Sequence, residues 1–172
     1  IFDLGRIGDS FFIAMEYIAG RDLRDLLKRY EALGERMPAP LAVFVVSEIC
    51  KGLAYAHKKT DEAGHPLHIV HRDVSPSNIL ISREGVIKLT DFGVSENGKT
   101  KKHKHKDEKI YGNAGSYCYF CPEACKEDGY SGKQADLWAC GITLYQMVYG
   151  GKLPFTSKQN SIQDLYEKIR ND

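Results

Sequence analysis

The sequence has almost no excess of charge of either sign and no long apolar run. Its 24 lysines and arginines face 23 aspartates and glutamates, which leaves a net charge of +1. This balance produces no field that would attract nucleic acid, so none is expected as a partner. No uninterrupted apolar run reaches the roughly 18 residues of a spanning helix, and no signal-peptide pattern opens the chain. The sequence therefore predicts no membrane span.

The cysteines are odd in number and do not have the spacing of a zinc finger. They stand at Cys50, Cys118, Cys121, Cys125 and Cys140. An odd count in a domain of this size indicates reduced thiols, and hence an intracellular, cytoplasmic setting. The close spacing of Cys118, Cys121 and Cys125 suggests a zinc site, but no second ligand pair follows them. Small packing residues or surface thiols are the favoured interpretation.

Length and apolar patterning indicate one domain of mixed strands and helices. The chain has 172 residues, 42% of them apolar, which suffices for a hydrophobic core. Residues 11–17 are aromatic and β-branched and predict a buried strand. Residues 1–4 are interpreted as the end of its hairpin partner and 5–9 as the turn. Asp22 then predicts the N-cap of a leucine-rich helix.

Three apolar stripes predict further helices. The first helix follows Pro40 and ends near Lys58, and its stripe is Leu41, Phe44, Val45, Ile49, Leu53 and Ala56. The second begins at Asp136, a suitable N-cap, and ends before Gly150. Its stripe is Leu137, Cys140, Leu144 and Val148. The third opens at Ser161 with a capping-box pattern.

Two short apolar runs between the first two helices predict a β-hairpin. They cover residues 79–81 and 86–89, with Gly85 in the turn. The two ends of a hairpin lie side by side. We therefore expect Asn78, before the first strand, and Asp91, after the second, to lie close together.

Polar residues of a catalytic type flank this hairpin. The segment 70–80 contains Asp73 and, five positions later, Asn78; Asp91 follows Asn78 by thirteen residues. This spacing suits phosphoryl transfer, in which Asp73 orients and deprotonates a hydroxyl while Asn78 and Asp91 hold a metal ion. The alternative is a polar turn at Asp73 with Asp91 as a strand-end cap.

Together these segments resemble the catalytic domain of a eukaryotic-type serine/threonine protein kinase. The resemblance rests on His71-Arg72-Asp73 with Asn78, on Asp91-Phe92-Gly93, and on the Cys-Pro-Glu sequence that ends at Glu123. It implies an α+β, protein-kinase-like fold, here mainly the α-helical C-terminal lobe with the hinge strand and the catalytic-loop β-hairpin. It also implies transfer of the ATP γ-phosphate to Ser or Thr hydroxyls of protein substrates, with Mg²⁺ or Mn²⁺ as the metal.

The resemblance assigns the nucleotide site to residues near the hinge. Met15 would be the gatekeeper beside the adenine pocket, and the backbone of Glu16 and Ile18 would bond the adenine edge. Asp22 would reach the ribose, and Leu80 would form the floor of the pocket.

On the substrate side, the resemblance implies an activation segment from Asp91 to Glu123. Ser116 would hydrogen-bond toward Asp73 and shape the pocket for the residue after the acceptor. Ser75 stands where serine/threonine kinases usually carry a lysine that touches the transferred phosphate. Structural or regulatory roles fall to His71, Arg72, Phe92, Gly93, Glu123 and Asp136. Of these, Asp136 would hold the backbone of the 71–72 loop.

The middle of the activation segment is strongly basic. Residues 98–109 include six lysines and two acids, a composition that predicts a solvated loop. A phosphate on Ser95 or Thr100 is expected to pair with Arg72 and to order this segment. His103 and His105 could share a metal ion, although a lysine–histidine tract is weak evidence for one.

The glycine-rich phosphate loop and the strand lysine of the kinase pattern are not found in the sequence. Residues 1–17 are therefore interpreted as a remnant of the small lobe, 18–22 as the hinge and 23–172 as a large lobe that is incomplete at its C-terminus. The alternative is an inactive kinase-like scaffold that binds partners, whereas the Pro-Glu motif and the long activation segment disfavour a small-molecule phosphotransferase. The retained Asp73 and Asp91 favour a protein kinase, whose regulator the sequence does not identify.

We expect residues 1–172 alone to bind ATP weakly and to transfer no phosphate. Each missing charge-assisted contact to the phosphates costs about 1.5–3 kcal/mol, and about 1.4 kcal/mol is a tenfold loss of affinity. Calorimetric titration with Mg-ATP and a radiolabel transfer assay on this segment measure the two properties. Micromolar binding with measurable transfer would contradict the expectation.

Overall fold

The computed structural model consists mainly of helices joined to three small antiparallel sheets. It describes residues 2–92, 109–110, 116–126, 129–157 and 161–171. Within these residues the helices are α1 (Leu23–Ala32), α2 (Ala39–Lys58), α3 (Gly132–Val148) and α4 (Ile162–Asn171). The strands are β1 (Asp3–Ile7), β2 (Ser10–Ala14), β3 (Gly20–Asp22), β4 (Ile79–Ser82), β5 (Ile87–Leu89), β6 (Lys109–Ile110) and β7 (Tyr130–Ser131). Two 3₁₀ turns cover Pro76–Asn78 and Tyr117–Tyr119.

The main core lies where α2 packs against α3 and where α1 meets the first 3₁₀ turn. Its largest fully buried apolar side chains are Leu23, Val45, Ile49, Leu53, Val74, Ile79 and Met147. A second cluster gathers Val70, Phe120, Cys121, Ala124 and Tyr130 around the chain that leads into α3. Each fully buried leucine or isoleucine contributes about 1.5–3 kcal/mol relative to exposure, so these clusters hold the helices around the loop between them.

Helix α2 forms where predicted, and its buried face includes four of the six residues of the expected stripe. The residues in the core are Ala42, Val45, Ile49, Leu53 and Ala56. Leu41 and Phe44 were expected in the stripe, yet they are 38% and 47% exposed. Each precedes a buried residue by one position, so its side chain is about 100° round the helix from that of the buried residue. Because apolar residues occupy adjacent positions here, the periodicity alone could not choose between the two faces.

Among the described residues, α2 is the one helix whose length and composition would allow it to cross a membrane. A core helix meets the same criterion, and α2 contributes five buried residues to the interior of this fold. The criterion therefore does not establish a membrane span.

Helix α3 begins four residues earlier than predicted. It starts at Gly132 after Ser131, so Asp136 lies inside the helix and the N-cap interpretation of Asp136 is wrong. Cys140 is buried as expected, whereas Leu137 is 55% exposed. The buried face includes Asp136 itself, which directs a carboxylate into the interior for a reason described below.

The β1–β2 hairpin was predicted, but its burial was not. The pairing runs from Asp3 opposite Ala14 to Ile7 opposite Ser10, so the partner strand is longer and the turn shorter than expected. The prediction of a buried strand is wrong: Phe11 is 77% exposed. The two strands form a sheet of their own, so their aromatic side chains do not enter the main core.

The hinge segment contains a strand that the sequence analysis did not identify. Strand β3 pairs with β4, which in turn pairs with β5, in a three-stranded sheet. Asp22, at the end of β3, caps α1 as predicted, because its Oδ1 accepts a hydrogen bond from the Asp25 backbone N–H at 2.7 Å. Gly85 has a φ of 82°, which fits its predicted place in the β4–β5 turn.

We expect Gly20→Ala to destabilise the sheet. A Cβ on Gly20 would stand 1.9 Å from the carbonyl oxygen of Ile81 and 2.8 Å from the Cα of Ser82. Both contacts are to backbone, so β3 must move away from β4, at a cost of about 1–3 kcal/mol in the free energy of unfolding. Urea denaturation measures this loss.

Gly52→Ala is the matched control for this substitution. Gly52 lies in α2, and a Cβ there would meet no heavy atom within 4 Å. Alanine is the better helix former, so this variant should gain up to about 1 kcal/mol. Equal stability of the two variants would contradict the close approach at Gly20.

Candidate active site

A buried carboxylate beneath the loop before β4 fixes the path of that loop. Asp136 Oδ2 accepts the backbone N–H of His71 at 2.9 Å, and Asp136 Oδ1 accepts that of Arg72 at 2.8 Å. Arg72 has a φ of 70°, which is uncommon for a residue with a side chain. The carboxylate compensates for this conformation by satisfying both N–H groups. The contact agrees with the loop-holding role expected of Asp136.

His57 joins the same carboxylate and was not identified from the sequence. Its Nε2 lies 2.7 Å from Asp136 Oδ2, and its side chain is 12% exposed. The only signal in the sequence was a histidine in the last turn of a core helix, which is not specific. His57 therefore ties α2 to α3 directly beneath the loop.

The ring of His71 packs beneath the start of the activation segment. Its Nε2 lies 2.9 Å from the backbone oxygen of Thr90, and the ring meets that of Phe92 edge-on at a centroid distance of 4.5 Å. His71 is fully buried. These contacts connect the loop to the residues that follow β5. Gly93, the next residue, lies outside the described part of the chain.

Asp73 is held at both carboxylate oxygens. Its Oδ2 accepts a hydrogen bond from Asn78 Nδ2 at 2.9 Å, and its Oδ1 accepts the backbone N–H of Ser116 at 2.9 Å. The amide of Asn78 also donates to the backbone oxygen of Asp73 at 2.8 Å. Ser116 thus contacts Asp73 as expected, but through its backbone and not its hydroxyl. The carboxylate is fixed in orientation from two directions.

Asn78 and Asp91 lie at the paired ends of the β4–β5 hairpin. Ile79 is opposite Leu89, and the backbone N–H of Thr90 donates to the backbone oxygen of Asn78 at 2.8 Å. Asp91 follows Thr90 directly, is exposed and has a φ of 64°. Because the nitrogen of the Asn78 side chain is bound to Asp73, its Oδ1 is the atom left to act as a ligand. This oxygen and the Asp91 carboxylate are donors of the kind that Mg²⁺ prefers.

The residues expected to bind the nucleotide base lie along β3, β4 and the segment before them. Leu80 is opposite Asp22 in the β3–β4 ladder, so these two are brought together. The Glu16 carboxylate forms an ion pair with Lys88 of β5, which joins this segment to the same sheet. Met15 is 55% exposed, and Ile18 is half-buried.

The cysteines near this site do not form a metal cluster in the part of the chain that the structure describes. Burial raises the pKa of Cys118 and Cys121, and it raises the pKa of Cys125 to about 11. Thiols in such surroundings stay protonated at neutral pH, whereas zinc binds the thiolate. Cys121 and Cys140 are buried, in keeping with the interpretation as packing residues.

Comparison with known proteins identifies the family. The family model of the protein kinase domain matches residues 2–171. The chain belongs to the protein kinase family. Protein kinase domains in general act on a protein substrate with ATP and a divalent metal ion. The α+β, kinase-like fold expected from the sequence is confirmed.

Several curated kinases are similar over almost the whole chain. A probable serine/threonine-protein kinase of Clostridium perfringens is 36% identical over 95% of this chain and 22% of its own length. Tyrosine-protein kinase MasK of Myxococcus xanthus is 33% identical over 99% of this chain and 25% of its own length. Serine/threonine-protein kinase GRIK2 of Arabidopsis thaliana is 33% identical over 95% of this chain and 36% of its own length. The kinase domain thus spans about a fifth to a third of the length of these relatives.

Ser75, the residue at the usual lysine position of serine/threonine kinases, is 2% exposed. It precedes the 3₁₀ turn, and its backbone oxygen accepts the N–H of Asn78 at 3.0 Å. The side chain therefore offers almost no surface to a phosphate. In this kinase domain Ser75 helps to shape the turn that positions Asn78.

Arg72 and Glu123, both expected to have structural or regulatory roles, differ in their surroundings. Burial raises the pKa of Tyr130, and the positive charge of Arg72, together with a hydrogen bond from its guanidinium, counters that rise. Arg72 is thus engaged with Tyr130 of β7, the strand that precedes α3. Glu123 is exposed. The expected pairing of Arg72 with a phosphate stays a prediction, because Ser95, Thr100 and the rest of 93–108 lie outside the described residues.

We expect Asp136→Asn to destabilise the kinase domain markedly. Asparagine has one oxygen, so its amide nitrogen would face the N–H of His71 or Arg72. Each unsatisfied buried donor costs about 1–3 kcal/mol. We therefore expect the free energy of unfolding, measured by urea denaturation, to fall by at least about 2 kcal/mol.

Asp164→Asn is the matched control. Asp164 lies on α4, and its side chain is 37% exposed beside Lys168. Exposed pairs of this kind contribute about 0–1 kcal/mol, so little change is expected. A loss at Asp136 no larger than that at Asp164 would show that the loop does not depend on the buried carboxylate.

Proposed function

We propose that this kinase domain transfers the γ-phosphate of ATP to serine and threonine hydroxyls of protein substrates, with Asp73 as the general base. The observation that carries the proposal is the fixation of Asp73 by Asn78 and Ser116 at 2.9 Å each. A carboxylate held in one orientation can accept the proton of an approaching hydroxyl without first reorganising. The hydroxyl oxygen then forms the new bond to phosphorus as the bond to ADP breaks.

The preference for serine and threonine is supported by sequence features. Ser75-Pro76 and Ser116 fit serine/threonine kinases better than tyrosine kinases in the resemblance described above. The relatives include proteins named for both specificities. Peptides that differ only in Ser, Thr or Tyr as the acceptor measure the preference directly. Faster transfer to the tyrosine peptide would contradict it.

For the nucleotide site, we propose Asn78 and Asp91 as ligands of Mg²⁺, with Mn²⁺ as a substitute. A metal ion bound there would neutralise charge on the phosphates of ATP. Met15, Glu16, Ile18, Asp22 and Leu80 are proposed to line the adenosine side. The pairing of Asp22 with Leu80 supports a common surface for two of these residues.

The division of the chain and its location are also proposed. We place the small-lobe remnant at 1–17, the hinge at 18–22, which includes β3, and the large lobe at 23–172. All five cysteines are free thiols, which supports a cytoplasmic location.

Asp73→Asn in the full-length protein is expected to lower kcat by two or more orders of magnitude, because general base catalysis contributes about 10²–10⁴-fold. Asn78 and Ser116 both donate to Asp73, so the amide can keep only one of these contacts, but the site is partly exposed and water can satisfy the other donor. ATP affinity should barely change, since Asp73 faces Asn78 and Ser116. Near-normal transfer would contradict the role of base.

Asp91→Asn is the contrasting variant, because Asp91 is proposed to hold the metal ion. It should lower the affinity for Mg-ATP as well as the rate. Nucleotide titrations with and without Mg²⁺ separate the two effects. Loss of the Mg²⁺ dependence in Asp73→Asn and not in Asp91→Asn would reverse the two assignments.

A further inference from the structure

Cys50 and Cys140 lie close together in the main core, where α2 packs against α3. Cys140 belongs to the buried cluster of α3, and the half-buried Cys50 packs against that cluster from α2. The two side chains share a hydrogen bond. Both are free thiols, and neither has a part in the proposed chemistry. They form a facing pair of sulfur atoms at the boundary between the two helices.

A second contact between the same helices locates this thiol pair. His57 Nε2 on α2 lies 2.7 Å from Asp136 Oδ2 on α3. Cys50 precedes His57 by seven residues, about two turns, so both lie on one face of α2. Cys140 follows Asp136 by four residues, about one turn, and shares its face of α3. The thiol pair and the His57–Asp136 contact therefore lie on one seam, along which the two helices run in opposite directions.

The two thiols differ in how easily an oxidant can reach them. Burial raises the pKa of Cys140, and the charge of Cys50, the hydrogen bond between the two thiols and the charge of Asp136 raise it further. Cys140 therefore stays protonated at neutral pH and is a poor first nucleophile. Cys50 is partly open to solvent, so a small oxidant can reach its sulfur. An accessible thiol beside a buried one suits oxidation of the first, followed by attack of the second on it.

We propose that Cys50 and Cys140 are a redox-sensitive modification site, which hydrogen peroxide converts to a disulfide between α2 and α3. The Cys50 thiolate attacks the peroxide, the O–O bond breaks, and the sulfur becomes a sulfenic acid as hydroxide leaves. The Cys140 sulfur then displaces hydroxide from the Cys50 sulfur, and this hydroxide departs with the Cys140 proton as water. Two thiols are thus oxidised, and one hydrogen peroxide is reduced to two waters. Thiol reductants reverse the reaction by exchange, so the disulfide is transient in a reducing compartment.

The disulfide acts on the loop before β4 through Asp136. A disulfide holds its two sulfurs about 2.05 Å apart, which is closer than two hydrogen-bonded thiols can come. Because the interior is close-packed, the helices must shift to form this bond. Asp136, one turn from Cys140, accepts the backbone N–H groups of His71 and Arg72 at 2.9 and 2.8 Å. The loop that positions Asp73 therefore shifts with the seam, and phosphate transfer slows. This consequence rests on the proposed function, whereas the disulfide itself does not.

The disulfide can be tested in the full-length protein with no need for turnover. The reduced protein is treated with hydrogen peroxide, the remaining thiols are blocked, and a digest without reductant is analysed by mass spectrometry. We expect a crosslinked peptide pair that joins residue 50 to residue 140 and that disappears after treatment with dithiothreitol. Absence of this pair at every peroxide concentration that leaves the protein folded, as judged by circular dichroism, would overturn the inference.

Steady-state kinetics before oxidation, after it and after reduction measure the effect on transfer. Peroxide should lower kcat about tenfold, since a misplacement of about 1 Å at a catalytic site can cost about a hundredfold, and dithiothreitol should restore it.

Three variants provide the comparison. Cys50→Ser and Cys140→Ala each remove one thiol, so both should form no crosslink and keep their kcat after peroxide. If the buried Cys140→Ala proves unstable, Cys50→Ser gives the same comparison at a half-buried position. Cys125→Ala is the matched control, because Cys125 is also a half-buried free thiol but packs in the second cluster. It should form the crosslink and lose activity as the unaltered protein does.

The outcomes separate this inference from the proposed function. Equal losses of kcat in the unaltered protein and in Cys50→Ser would overturn the inference, because oxidation elsewhere would then explain them. A crosslink that leaves kcat unchanged would overturn the effect on the loop. Transfer that persists after peroxide, with no crosslink, would overturn the inference and leave the kinase function intact. A crosslink in a protein that transfers no phosphate even when reduced would support the thiol pair and contradict the proposed function.

Discussion

The fold around the site depends on one buried carboxylate and the three nitrogen atoms gathered around it. Asp136 is 1% exposed and binds the backbone of the loop before β4, while His57 contacts one of its oxygens. A carboxylate in such a place is costly unless its hydrogen bonds are complete. Here they are supplied by α2 and by the loop itself. The three parts of the chain therefore form this site together or not at all.

By fixing the loop before β4, Asp136 also determines the position of the proposed base, Asp73. With the backbone of His71 and Arg72 fixed, the 3₁₀ turn that follows places Asn78 against Asp73. The second contact to Asp73 comes from Ser116, 43 residues further along the chain. The orientation of the base thus depends on the local turn and on the end of the activation segment. Displacement of that segment would remove one of the two contacts without unfolding the turn.

Much of this arrangement could be predicted from the sequence, because phosphoryl transfer requires particular residue types at particular spacings. The spacing of Asp73, Asn78 and Asp91 indicated both the chemistry and the hairpin that brings the latter two together. The errors arose where apolar residues are adjacent, so that periodicity did not define one face, as at Leu41 in α2 and Leu137 in α3. Contacts made through backbone atoms, or by a single histidine such as His57, leave no pattern in the sequence and could not be foreseen.

Burial determines which residues of this kinase domain can be substituted without loss of stability. Replacing Asp136 or His71 would leave polar backbone or ring atoms unsatisfied in the interior, so their substitution affects stability before it affects chemistry. Side chains on the exposed faces of the helices can be replaced at little cost to the fold. A site that must keep one reaction and yet distinguish among substrates is therefore expected to place recognition on such residues.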